Sequence, residues 1–146
     1  MHTVPAEGTV PGGLFGRIGD MNNPHKGRTG LTRILFAARH SAAGLAAAWR
    51  HESAFRQEAV LAVLMLPAAL WLGSTWLERS LLMAAVVMVL IVELLNSGIE
   101  AAVDRISLDL HDLSKRAKDF GSAAVMLALL LCAGIWGTAL WTRLST

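Results

Sequence analysis

The chain has 146 residues, of which 54% are hydrophobic and only 16% charged, with five tryptophans and no tyrosine. That is too apolar for an ordinary soluble domain of this length, and the apolar residues gather into blocks, which marks an integral membrane protein. The net charge of +2 comes with no basic face interleaved with aromatics, so a nucleic-acid partner is not expected. The single cysteine, Cys132, excludes disulfides within the chain and cysteine-based zinc sites; it reads as a buried, inert thiol.

In chain order, residues 1–29 are rich in Gly, Pro, Asn and Thr, lack an apolar signal-peptide core, and are expected to form a disordered tail. A domain of 30–146 follows. In "LTRILFAARHSAAGLAAAWRH", Leu31, Ile34, Leu35, Ala38, Leu45, Ala48 and Trp49 recur at helical spacing while Arg33, Arg39 and Arg50 occupy other positions. This predicts an amphipathic surface helix at about 30–51. A helix of this kind often does no more than anchor a protein. Three transmembrane helices are then expected at about 53–73, 77–106 and 117–142. The last contains 20 residues without a charge, the length that a bilayer core demands. Pro67 is tolerable within the first span, where neighbouring helices can satisfy the freed carbonyl. Trp71, Trp76, Trp136 and Trp141 lie towards the block ends, as in an interfacial belt.

Lysines and arginines number seven before the apolar block 59–73, one between it and the block 80–95, four between that block and 122–141, and one after the last. That alternation puts the N-terminus and the loop near residue 110 in the cytoplasm.

The second span runs into "VELLNSGIEAAVDRIS". At roughly 100° per residue, Glu93, Glu100 and Asp104 fall within about 40° of one another, with Asn96 about 60° away on the same side. Polar residues inside membranes often join helices by hydrogen bonds, and Asn96 alone would suit that role. Carboxylates suit it poorly, because each costs roughly 2.5–3.5 kcal/mol at a helix centre by insertion scales. A ladder of oxygen ligands on one face points instead to an ion, a pathway or chemistry. Such ligands suit Mg²⁺, which commonly takes the rest of its shell from phosphates. Glu52 supplies a carboxylate from another segment, and His111, Lys115, Arg116 and Lys118 lie in the following polar loop. Neither a Walker-type nor a kinase-type glycine loop is present.

The segments "RHESAFRQE", "VELLNSGIEAAVDRIS" and "LSKRAKDFGSAAV" resemble the signature segments of the small prokaryotic integral-membrane diacylglycerol kinase family, over about 30–141. The resemblance implies an all-α homotrimer, each subunit having three transmembrane helices and a surface helix, in the bacterial inner membrane. It implies transfer of the γ-phosphoryl group of MgATP to diacylglycerol, giving phosphatidic acid. Position by position, Glu93 corresponds to the general base and Asn96 to a residue supporting the reacting centre. Glu52 and Glu100 correspond to the metal-binding carboxylates. Nucleotide contacts are implied for Arg33, His40, Glu52, Glu100, Asp109, His111, Lys118 and Asp119. Lipid contacts are implied for Ser41, Trp49, Ala54, Phe55, Arg56, Gln57, Glu58, Glu93, Ser122 and Trp136. The chain departs from the pattern at Arg39, His40 and Lys115, where the family commonly has a small residue, tyrosine and glycine.

Two other readings compete. Some relatives phosphorylate undecaprenol, but "FRQE" resembles the diacylglycerol members more. A small proton or cation transporter would also use intramembrane carboxylates. Here, however, they sit at one end of the second span, and the third block offers only Thr138 as a polar partner near its far end.

Overall fold

A computed structural model describes residues 30–106 and 111–145. The predicted tail and Asp109 lie outside the described residues. The described elements are four helices: α1 (Leu31–His51), α2 (Ser53–Leu72), α3 (Trp76–Ile106) and α4 (Asp112–Ser145). They fall into two compact units that divide between Arg39 and His40, within α1. The last three helices are each long and apolar enough to cross a membrane.

Helix α1 ends where Glu52 takes an extended conformation, φ −105° and ψ 113°. Its last carbonyls are capped from the next helix: Arg56 Nη1 donates to Trp49 O at 3.1 Å and to Arg50 O at 3.2 Å. A guanidinium there satisfies orphan acceptors and complements the negative end of the helix dipole. Helix α2 runs through Pro67 and stops at Gly73, whose N–H donates to Ala69 O at 3.1 Å. A side chain on Gly73 would stand 2.7 Å from Arg79 Cγ and 2.8 Å from Arg79 N, so the tight return to α3 needs a glycine. Across this turn Glu78 N–H donates to Thr75 Oγ1, while Glu78 Oε2 accepts from Ser74 N at 2.7 Å and from Thr75 N at 3.2 Å. This is a capping box that opens α3.

Helices α2 and α4 each pack on α3. The seams consist largely of small residues, which let helix backbones approach closely without a hydrophobic driving force between them. Ala62, Ala85, Val86, Val89, Ala128 and Cys132 form one buried cluster; Ala69, Leu72 and Leu82 form a second. The α3–α4 pairing can be followed from end to end. Trp136 Nε1 donates to Leu82 O at 3.2 Å; Val89 shares a cluster with Ala128; Asn96 abuts Gly121; Lys118 reaches Asp104. Trp136 thus spends its N–H inside the bundle.

Helix α3 has 31 residues, so it is about 46 Å long at 1.5 Å per residue, well beyond a hydrocarbon core of about 30 Å. Glu93 stands about 26 Å from the start of α3 on the same rise. The carboxylates therefore enter where the helix leaves the apolar slab.

Candidate functional site

Glu93 is the one charged side chain among the described residues that is buried, at 4% exposure. One turn on, Asn96 Nδ2 donates to Glu100 Oε1 at 3.1 Å. Both residues share the α3 stripe, so helical periodicity alone brings them into register. Glu58 projects from α2 towards the same place and is a charge neighbour of Glu93; Glu52 and Glu100 are further charge neighbours of Glu93. Glu52, Glu58 and Glu100 are thus within charge range of Glu93, on the side of α3 that carries the Asn96 amide. Glu52 caps α2 by position, yet its side chain makes no capping hydrogen bond, which leaves the carboxylate free for another partner.

Two polar atoms here are buried without a hydrogen-bond partner: Glu58 Oε2 and Asn96 Oδ1. Each such atom carries a desolvation cost of about 1–3 kcal/mol, so orphans of this kind call for an explanation.

Helix α4 contributes the cation. Lys118 Nζ lies 2.6 Å from Asp104 Oδ1 and within electrostatic reach of Glu100. The roles implied for individual residues give no partner for Asp104; the structure supplies one, and the stripe that contains Asp104 is the signal for it. Lys115 Nζ lies 3.7 Å from Asp119 Oδ2, with both side chains exposed, so the lysine that departs from the family pattern touches Asp119, the residue after Lys118. His111 Nδ1 accepts from Leu113 N–H at 3.2 Å and caps the start of α4, leaving Nε2 for another contact.

A groove of about 770 Å³ opens beside this cluster, with Ser41, Gly44 and Ala48 of α1 on one side, Ser97 and Gly98 of α3 on the other, and Glu52 along it. Its walls are mostly small side chains, so backbone and carboxylate are accessible to an occupant. His40 is the first residue of this unit, whereas Arg33 belongs to the other.

Other residues named from the sequence take varied positions. Phe55 is buried, Arg56 is tied to the end of α1, and Ala54, Gln57 and Ser122 are exposed. Trp49 is half-exposed. Trp136 stands apart, its indole bonded to Leu82, about 16 Å along α3 from Glu93. Arg56 as a helix cap and Gly121 as the neighbour of Asn96 are features that sequence reasoning missed. The only signals for them are an arginine just past a helix break and a glycine just past "RAKDF".

The oxygen donors suit a hard cation. Glu52 and Glu100 both approach Glu93, and Asn96 occupies only one Glu100 oxygen. Among the described residues no group of three or more His, Cys, Asp or Glu forms a self-contained metal site.

Three apolar helices with acid, amide and lysine gathered at one end define a small membrane protein with a polar site at its boundary. The chain matches the prokaryotic diacylglycerol kinase family over residues 39–140. It is 51% identical over 115 residues to the diacylglycerol kinase of Escherichia coli (strain K12), covering 79% of this chain and 94% of that one. It is 52% identical over 118 residues to the diacylglycerol kinase of Pseudomonas aeruginosa, covering 81% and 96%. With the diacylglycerol kinase of Helicobacter pylori (strain J99) it shares 39% identity over 125 residues, covering 86% and 97%. The chain belongs to the prokaryotic diacylglycerol kinase family.

Proposed function

We propose that this protein transfers the γ-phosphoryl group of ATP to the primary hydroxyl of diacylglycerol, releasing ADP and phosphatidic acid. The observation that carries this reading is the buried Glu93 at the membrane edge of α3, followed along the helix by the Asn96–Glu100 hydrogen bond and, about 16 Å from Glu93, by the Lys118–Asp104 pair. A lipid hydroxyl arrives from the bilayer and ATP from water, so the two meet where α3 leaves the apolar slab.

In the reaction the hydroxyl O–H bond breaks, its proton passes to the Glu93 carboxylate, and the oxygen forms the new bond to phosphorus as the bond to ADP breaks. General-base assistance of this kind is worth roughly 10²–10⁴-fold. Asn96 holds Glu100 by one oxygen and so fixes the acidic cluster. Lys118 neutralises phosphate charge, the main requirement of phosphoryl transfer besides positioning. Asp104 holds that lysine in place before ATP arrives. Glu52 and Glu100 would hold Mg²⁺, which when bound supplies further neutralisation of the phosphates. Nucleotide contacts are assigned to Arg33, His40, Asp109, His111 and Asp119. Lipid contacts are assigned to Ser41, Trp49, the segment from Ala54 to Glu58, Ser122 and Trp136. The distribution of Lys and Arg supports an inner-membrane protein with a cytoplasmic N-terminus, and family membership supports a homotrimer.

The test is purified protein with γ-labelled ATP, Mg²⁺ and either diacylglycerol or undecaprenol in mixed micelles. Label should enter phosphatidic acid; label entering only the polyprenol, or no lipid, would overturn the assignment.

A further inference from the structure

Gly121 lies on α4 three residues beyond Lys118, and it is the buried glycine of that helix; a side chain added at Gly134 or Gly137 would meet only open space. At 121 an added methyl would overlap Asn96 Oδ1 and stand 3.2 Å from Asn96 Cγ. That Oδ1 is the same atom that is buried without a hydrogen-bond donor. Its sister atom Nδ2 is committed to Glu100.

These facts fix the amide from both sides. Turning it over would set Oδ1 against the Glu100 carboxylate, acceptor against acceptor. Left as it is, Oδ1 needs a neighbour that has no side chain, because α4 passes directly over it. Ordinary small-residue packing explains close helices, but it does not explain why a polar atom should be stranded in the seam at a cost. An orphaned acceptor persists when its orientation serves something else.

We propose that Gly121 is a positioning residue for phosphoryl transfer. Its missing side chain holds Asn96 with oxygen towards α4 and Nδ2 on Glu100, which fixes the Glu100 carboxylate beside Glu93. Further along the same helix pair, Lys118 meets Asp104. A methyl at 121 therefore has two outlets. Either the amide swings off Glu100, or α4 moves out and carries Lys118 from Asp104. The first is the easier, since the amide is the end of a side chain with two torsions, so Gly121→Ala folds with Asn96 displaced. This inference rests on the lipid-kinase reading for its kinetic part only.

The experiment compares full-length Gly121→Ala with Gly134→Ala and with Asn96→Ala, alone and combined. Gly121→Ala should lose on the order of 10- to 100-fold in kcat, the scale set by an ångström of misplacement, with KM values little changed. Gly134→Ala should behave as wild type. In the Asn96→Ala background the Gly121→Ala change should cost nothing further, since its target is gone; additive losses would overturn the proposal. If Gly121→Ala alone fails to fold, the double variant should fold, and its failure would equally overturn the proposal. A readout independent of activity is the Asn96 side-chain amide resonance pair, assigned by its loss in Asn96→Ala. It should shift in Gly121→Ala and stay put in Gly134→Ala. A shift without lipid kinase activity in the wild type would sink the functional reading and keep the positioning; no shift would sink the positioning.

Discussion

The two ends of the bundle treat polar groups in opposite ways. At the α2–α3 turn they are used up. Glu78 takes two backbone N–H donors, Arg79 Nε donates to Gly73 O at 2.9 Å, and Arg79 stacks over Trp76 with 5.1 Å to the ring centroid. Arg143 lies over Trp71, and Trp136 bonds to Leu82. At the other end Glu93 is buried among further carboxylates, and Glu58 Oε2 and Asn96 Oδ1 are buried without partners. The first end resolves every local demand of a chain reversal. The second keeps buried polar atoms unmatched, which is what the proposed reaction would lead one to expect of a reactive cluster rather than a structural one.

The sharpest break of that contrast is Glu93→Gln. The variant keeps the shape and cannot take the proton, so turnover with diacylglycerol should fall roughly 10²–10⁴-fold. Binding of MgATP, measured by calorimetry, should persist. Because the substitution removes a buried charge, the thermal midpoint in detergent should equal or exceed the wild-type value. Loss of activity through unfolding would assign Glu93 to structure instead.

The α3–α4 cation pair should show an intermediate effect. Lys118→Met removes the proposed phosphate contact and should raise the KM for ATP strongly. Asp104→Asn only releases the lysine and should raise it less, with kcat nearly kept. Lys118 and Asp104 are both part-exposed, so neither change should disturb folding much. Equal KM effects in the two variants would place Asp104 in direct contact with the nucleotide rather than behind Lys118.

The reactive end is more legible in the sequence than the structural one, for physical reasons. Spanning helices announce themselves by length and apolarity, so the all-α fold with three spans follows from composition. The stripe Glu93, Asn96, Glu100 and Asp104 follows from helical periodicity, because one helix carries it whole. What crosses between helices is hidden. Nothing in "FRQE" says that Arg56 will cap α1 or that Glu58 will face Glu93. Nothing in "KDFGS" says that Gly121 will lie over Asn96. Those depend on the register of α2 and α4 against α3, which small residues set and which no single-helix pattern encodes.

The smallest effect belongs to the saturated end, and it sharpens the contrast from the other side. Glu78→Ala removes both acceptor contacts of the capping box, leaving Ser74 N–H and Thr75 N–H to find water. Loss of a helix-start cap of this type costs about 0.5–2 kcal/mol. The turn is exposed, so water satisfies the freed donors and the cost should fall at the low end of that range. Glu78 stands about 22 Å along α3 from Glu93, too far to touch substrate. The thermal midpoint in detergent should therefore drop by a small, measurable amount, while kcat and both KM values at low temperature stay at wild-type levels. A kinetic defect in fully folded Glu78→Ala would mean that the two ends are mechanically coupled through α3, and that the division between structural and reactive ends does not hold.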